Sequence, residues 1–339
     1  MAALLSAIAP EVIDKAWVHG LFDGAVQTLQ IFQYQPLALH HFKICPYLRF
    51  YYTTASKMMA DNTWDVHTAS EDMLIELCHQ TEELNGIIGG YKAAIRVIKL
   101  SNDIAVKFGR GVTAAEARTQ EFAHQNVNPS IVHVPKVYRF FEWDYDPRWS
   151  SSEGYLFMEY VPGQTLAELD LDVRDDIVPR IAQIIAHLGQ IGVPNGLSDA
   201  VPGPIGGGSP RGYLWGEDGA GATFTCVSDL NDWLNKRLKL QKKSINLHDS
   251  PLVLCHLDLA RRNMILREDN TISLVDWGFA GLYPRFYETT TLPCLSPWDA
   301  VYQKPLIEAT NTLLSLTDEE NRLAQLVQTA RAVSLQYSL

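Results

Sequence analysis

The sequence predicts an α+β protein in two lobes, a small antiparallel β lobe followed by a larger helical one. Three observations predict it. The chain has 339 residues, which at about 150 residues per domain gives two domains or one bilobed unit. β-type runs concentrate between residues 94 and 161, and apolar stripes of helical spacing dominate after residue 173. Hydrophobic residues make up 47% and charged residues 20% of the chain, a globular balance that excludes disordered, collagen-like and disulfide-scaffold classes.

Residues 1–68 carry no site motif and read as an N-terminal extension packed on the body or on a partner. Helical spacing runs over Glu11–Phe32, and an aromatic-rich stretch follows to Tyr52. Pro36, His40, His41, Lys43, Pro46 and Arg49 interrupt that stretch, so it cannot span a bilayer. The first lobe is expected over 69–160. Ser70 stands as N-cap before a helix that carries Met73, Leu74, Ile75 and Leu77. Ala94–Leu100 and Ile104–Phe108 flank the turn residues Ser101-Asn102-Asp103, a hairpin pattern. Ala114–Gln125 is polar-helical. Val134–Trp143 and Tyr155–Val161 are strand-like around a polar loop, Asp144–Gly154.

The second lobe is expected over 161–339. Val173–Ile191 has apolar residues at helical spacing, Val201–Phe224 is a long Gly/Pro loop, and Leu230–Leu240 is a short amphipathic helix. Leu252–Cys255 and Thr271–Val275 are buried β-type pieces. A last helix opens on the capping box Thr317-x-x-Glu320.

Charge and cysteine usage narrow the partners. Lys and Arg number 28 against 39 Asp and Glu, a net charge of −11. That excludes a non-specific nucleic-acid binder and argues against docking on anionic membranes. Five cysteines are scattered without a C-x-x-C pair, no N-x-[ST] sequon occurs, and no basic segment precedes the apolar start. A reduced, cytoplasmic setting is expected. The ten histidines show no zinc-ligand spacing.

The chemistry concentrates in His256-Leu-Asp-Leu-Ala-Arg-Arg-Asn263 and, eighteen residues after Asp258, in Asp276-Trp-Gly278. Phosphoryl transfer needs these types together. Asp258 can accept the proton of an acceptor hydroxyl, while the Asn263 carbonyl and Asp276 carboxylate supply oxygen ligands for Mg²⁺. Upstream, Lys107 sits mid-strand in Ile-Ala-Val-Lys-Phe. A lysine in such a strand needs a counter-charge. Glu116 is the natural partner, with Glu121 the rival.

With Glu116-Ala117, Val134–Val137, Met158–Gly163 and Asp276–Pro284, these residues resemble the aminoglycoside phosphotransferase/choline kinase family. Its members are small-molecule kinases with a protein-kinase-like fold, and the resemblance covers about residues 70–335. It implies transfer of the ATP γ-phosphate to a small-molecule hydroxyl or amino-alcohol acceptor. Asp258 would be the base, Asn263 and Asp276 would hold Mg²⁺, and Lys107 with Glu116 would position ATP. Glu159–Val161 would form the hinge that meets adenine through its backbone, and His256 would brace the catalytic loop.

Two departures stand out. Leu257 occupies the place between His and Asp where the family usually has glycine. The candidate phosphate-covering loop, Asn85–Gly90, does not spell G-x-G-x-x-G. Both motivate an alternative, a catalytically weak or inactive kinase-fold, pseudokinase-like ATP-binding or scaffold protein. No A-P-E follows Asp276-Trp-Gly, and Ala260 stands where a protein kinase has lysine, which favours a small-molecule acceptor. Gly203–Gly208 resembles a phosphate loop in composition alone and reads as a surface loop.

Overall fold

In the computed structural model, residues 64–84, 86–90, 94–144, 152–192, 201–216, 219–295 and 299–337 are described. The chain divides into the units Met1–Trp64 and Asp65–Leu339. The expected N-terminal extension falls almost wholly outside the described residues.

Helix α1 (Glu71–Glu83) begins where the Ser70 side chain accepts a hydrogen bond from the Met73 amide. Five strands follow, β1 (Ile87–Gly90), β2 (Arg96–Lys99), β3 (Ile104–Gly109), β4 (Val137–Asp144) and β5 (Ser152–Glu159), with α2 (Ala114–Asn126) between β3 and β4. They form one antiparallel sheet in the order β1-β2-β3-β5-β4. β3 is central and buried from Ala105 to Gly109. Side chains alternate across it. Phe108 stacks on Tyr155, and Tyr155 on Phe141, at 5.3 Å each on one face. On the other face Ala105 packs with Ala117, Leu156 and Met158. Lys107 shares this second face, so burial of the strand buries the lysine.

The second half holds β6 (Gln164–Thr165), α3 (Ile177–Leu188), α4 (Val227–Leu238), β7 (Leu252–Cys255), β8 (Met264–Leu266), β9 (Ile272–Leu274), β10 (Gly281–Pro284), α5 (Phe286–Thr291), α6 (Ala300–Leu314) and α7 (Asp318–Gln336). Small sheets β6-β8-β9 and β10-β7 carry the loops of interest. Two apolar cores flank them. One joins α3 and α6 around Trp277, and the other joins α4, α5 and α7 around Trp215. Thr317 and Glu320 form the reciprocal capping box that opens α7. No described helix is long and apolar enough to cross a membrane. Cys78, Cys226, Cys255 and Cys294 are unpaired thiols.

Some expectations are corrected. The loop after β4 is shorter than Asp144–Gly154, because β5 begins at Ser152. α5 and α6 were not foreseen. α6 buries Tyr302, Leu306 and Leu314 but also Gln303 and Thr310, and it contains Pro305, which blunts its apolar periodicity. Gly203–Gly208 is more than a surface loop. Gly203 exchanges backbone hydrogen bonds with Leu282 of β10 at 3.1 and 2.8 Å. A Cβ on Gly281 would lie 2.3 Å from the Gly203 oxygen, so only glycine allows this approach. Arg118 of α2 donates to the carbonyls of Ile205 and Gly206, and Thr119 Oγ1 accepts from the Ile205 amide.

Candidate active site

Lys107 Nζ lies 2.5 Å from Glu116 Oε1 and 2.8 Å from Asp276 Oδ1. Glu116 is placed by the start of α2, where its amide donates to Thr113 Oγ1. The expected pair forms, and Glu121 is not the partner. Burial favours neutral Lys107, yet the two carboxylates outweigh it and hold the ammonium above the ordinary lysine value. Burial likewise opposes ionised Asp276, but Lys107 brings that carboxyl below the usual range.

β7 ends at Cys255, and the loop from His256 to Asn263 follows it. The His256 ring is buried edge-on against Trp277 at 4.8 Å. Its Nε2 donates to the Val275 carbonyl at 3.1 Å, and Nδ1 accepts from the Asp258 amide at 3.3 Å. One nitrogen donates and the other accepts, as in a neutral imidazole. Burial agrees, pushing the ring down to about 4. Glu288 of α5 accepts from the His256 and Leu257 amides at 2.6 and 3.0 Å. Leu257 sits in the left-handed region at φ 64.

Asp258 is buried. Arg262 Nη2 donates to its two oxygens at 2.8 and 3.1 Å, and the Tyr213 hydroxyl donates to Oδ1 at 3.2 Å. Burial raises the Asp258 carboxyl above the ordinary aspartate value, against the opposing charge of Arg262. Asn263 Nδ2 donates to the Asp258 carbonyl at 2.9 Å. The Val275 amide donates to the Asn263 carbonyl at 3.0 Å, so β8 and β9 hold Asn263 beside the residue that precedes Asp276. Arg261 turns away, binding Asp299 and the carbonyls of Leu166 and Leu169.

One cleft of about 730 Å³ is lined by Lys107, Glu116, Asp258 and Asp276 together, with Tyr213, Arg262 and Gly90. His256 and Asn263 lie buried behind it. Glu159 and Val161 do not line it. The Glu159 carboxylate instead meets His133 Nε2 at 3.2 Å and accepts from the Lys136 amide at 3.2 Å. Among the described residues of the Asn85–Gly90 segment, only Gly90 reaches the cleft. Gly86 and Gly89 belong to the α1–β1 junction and to β1, and Asn85 lies outside the described residues. Sequence reasoning missed Glu288, Tyr213 and the Arg262 contact. The four-residue spacing of Asp258 and Arg262 was the one available signal.

A five-stranded sheet with a buried Lys–Glu pair, above a helical lobe that presents an Asp…Asn…Asp loop, defines a bilobed, protein-kinase-like small-molecule phosphotransferase. The family model described as "Phosphotransferase enzyme family" matches residues 87–325, and the chain belongs to that family. No curated protein matches. Among solved structures, the chain is similar to wild-type aminoglycoside 2'-phosphotransferase-IIIa in its GDP complex. That match has 14% identity, covers 84% of this chain and 89% of that one, and has a TM-score of 0.44. It is similar to aminoglycoside phosphotransferase APH(4)-Ia at 13% identity, over 77% and 89% of the two chains, with a TM-score of 0.44. It is also similar to aminoglycoside-3'-phosphotransferase of type VIII at 17% identity, over 71% and 90%, with a TM-score of 0.43.

Proposed function

We propose that the chain moves the γ-phosphoryl group of ATP to a hydroxyl of a small molecule, with Asp258 as proton acceptor. The convergence of Lys107, Asp258 and Asp276 on one cleft supports this reading most directly. The acceptor oxygen bonds to the γ-phosphorus as the bond to the β,γ-bridging oxygen breaks, and its proton passes to the Asp258 carboxylate. Burial makes Asp258 a stronger base than a solvated aspartate. Arg262 and Tyr213 fix the carboxylate while it waits. Lys107, kept charged by Glu116 and Asp276, meets phosphate oxygens. Neutral His256 and Glu288 hold the loop backbone in shape.

The donor set fits Mg²⁺. The Asn263 amide nitrogen is used on the Asp258 carbonyl, which leaves its side-chain oxygen for a cation, and the Asp276 side chain is 45% exposed. Among the described residues no group of three or more His, Cys, Asp and Glu could hold a metal. One carboxylate and one carboxamide suit Mg²⁺, which is completed by water and phosphate. Bound there, Mg²⁺ would neutralise phosphate charge. The backbone at Glu159–Val161, where β5 ends, is the proposed hinge that meets adenine and joins lobes 69–160 and 161–339.

Asp258→Asn tests the reading. Transfer should fall by about a hundred- to ten-thousand-fold, the worth of a general base, while ATP·Mg²⁺ still raises the melting temperature. Undiminished transfer would remove Asp258 from the mechanism.

A further inference from the structure

The cleft does not share the sign of the chain. The protein carries a net charge of −11, yet beyond Asp258 the described wall is cationic. Arg211 comes from the loop that precedes α4, Arg262 from the catalytic loop and Arg331 from α7, and all three line the cleft beside Tyr213, Phe279 and Leu335. The carboxylates that line it among the described residues are Glu116, Asp258 and Asp276. Each already has a cation. Lys107 pairs with Glu116 and Asp276, and Arg262 pairs with Asp258.

Arg211 and Arg331 are left over. Arg211 Nη1 donates to the Gly111 carbonyl at 2.5 Å, and Arg331 Nε donates to the Tyr213 carbonyl at 2.7 Å. Neither forms an ion pair with a described carboxylate, although the Arg211 charge reaches Glu116 and favours its ionised form. A guanidinium has five donors in a fixed fork. One main-chain carbonyl therefore aims each side chain and leaves most of its donors for a ligand. Two such forks facing a cleft suit a planar or tetrahedral oxyanion. Tyr213 and Phe279 meet edge to face at 5.7 Å beside them and give the same wall an aromatic surface. A polyamine would meet two unmatched cations here, and among the described lining residues no spare acid to bind it.

We infer that the acceptor carries an anionic group, a carboxylate or a phosphate ester, which Arg211 and Arg331 engage while its hydroxyl meets Asp258. The inference rests on the phosphotransferase reading above and gives it a substrate class.

The test is calorimetric titration of the full chain, with and without AMP-PNP·Mg²⁺. Gluconate and tartrate represent hydroxy acids, glucose 6-phosphate and glycerol 3-phosphate represent phosphate esters, and choline and kanamycin represent amines. At least one anionic probe should bind at least about tenfold more tightly than either amine. Arg331→Gln and Arg211→Gln should each weaken that binding by about tenfold, as expected for losing a charge-assisted hydrogen bond. Arg331→Lys should retain part of it, and AMP-PNP affinity should not move in either Arg331 variant. Whichever arm binds names the oxyanion. Tighter binding of an amine, no binding by any anionic probe, or anion binding indifferent to both arginine variants would overturn the inference. Glu217 and Asp218 stand between Gly216 and Gly219 in the sequence and lie outside the described residues. Amine binding lost in Glu217→Gln/Asp218→Asn would likewise overturn it and assign a cationic acceptor. Failure to bind AMP-PNP would instead strike the phosphotransferase reading, and the nucleotide-free titrations would still decide the arginines' role.

Discussion

Asp258 and Arg262, four residues apart, form a 2.8 Å ion pair in which the acid is buried and the guanidinium is more than half exposed. Arg262 holds the Asp258 carboxyl down against the lift from burial. Removing it by Arg262→Ala should therefore raise the Asp258 pKa. In the proposed mechanism transfer needs the ionised carboxylate, so the acidic limb of the kcat/KM profile should move to higher pH, and Arg262→Lys should give an intermediate profile. An unmoved limb would show that the pair does not tune the base.

Lys107 and Glu116 are both buried, so removing the lysine leaves buried Glu116 and half-exposed Asp276 without their cation. Lys107→Met should cost about 3–5 kcal/mol, as for other broken buried pairs. Lys107→Met/Glu116→Gln should recover most of that loss in urea unfolding. Both variants should bind ATP poorly, because the cation proposed to meet the phosphates is gone from each. A double variant as unstable as the single would count against this account.

Leu257 presents two opposing effects. A non-glycine residue in the left-handed region costs about 1–2 kcal/mol, which Leu257→Gly would relieve. The side chain is also 1% exposed within the core around Trp215, and truncating a buried leucine costs about 2–5 kcal/mol. Packing wins. Leu257→Gly should be less stable by up to about 4 kcal/mol in urea unfolding, and a gain in stability would reverse the argument. The turn itself is held by Glu288 through the two loop amides. Leucine here is thus no sign of a disabled site.

Glu288 and His256 give stability opposite slopes with pH. Burial lifts Glu288 to about 7. Between the ordinary carboxyl value of 4.5 and about 7 the folded chain keeps a proton that the unfolded chain has lost, so this group costs stability as pH rises. Burial lowers His256 from 6.5 to about 4. Its contribution is lost as pH falls through that interval, where the unfolded chain takes up the proton instead. Glu288→Gln leaves the histidine slope alone, so the variant should lose more stability than the parent between pH 7 and pH 5. Urea unfolding at both values measures it, and equal losses would contradict the assignment. At pH 7 the glutamine also offers one acceptor oxygen to two amides, a cost of about 1–3 kcal/mol.

Local pattern carried what was legible in the sequence. The hairpin of β2 and β3, the cap of α1 and the capping box of α7 are each set within a few residues, and Lys107 and Glu116 are nine apart. The Lys107 contact to Asp276 spans 169 positions, and no periodicity reports such a meeting. Glu288 lies in Phe-Tyr-Glu-Thr-Thr-Thr, a run with no catalytic spelling, and only the fold of α5 beneath the loop gives it a role. Tyr213 and Arg331 come from a glycine-rich loop and a distant helix. Their charge and ring are visible in the sequence, but their convergence is tertiary.

The segment around Gly203–Gly206 works as a strap. It is fastened to β10 at Leu282, and from there it reaches α2 through Arg118 and Thr119. A few residues on, the same run of chain supplies Arg211 and Tyr213 to the cleft wall. Helix α2 carries Glu116, the counter-ion of Lys107. The Arg211 wall and the helix that carries the counter-ion of Lys107 are thus joined by a short stretch of backbone. Parting residues 69–160 from 161–339 would have to break the three polar contacts of this strap.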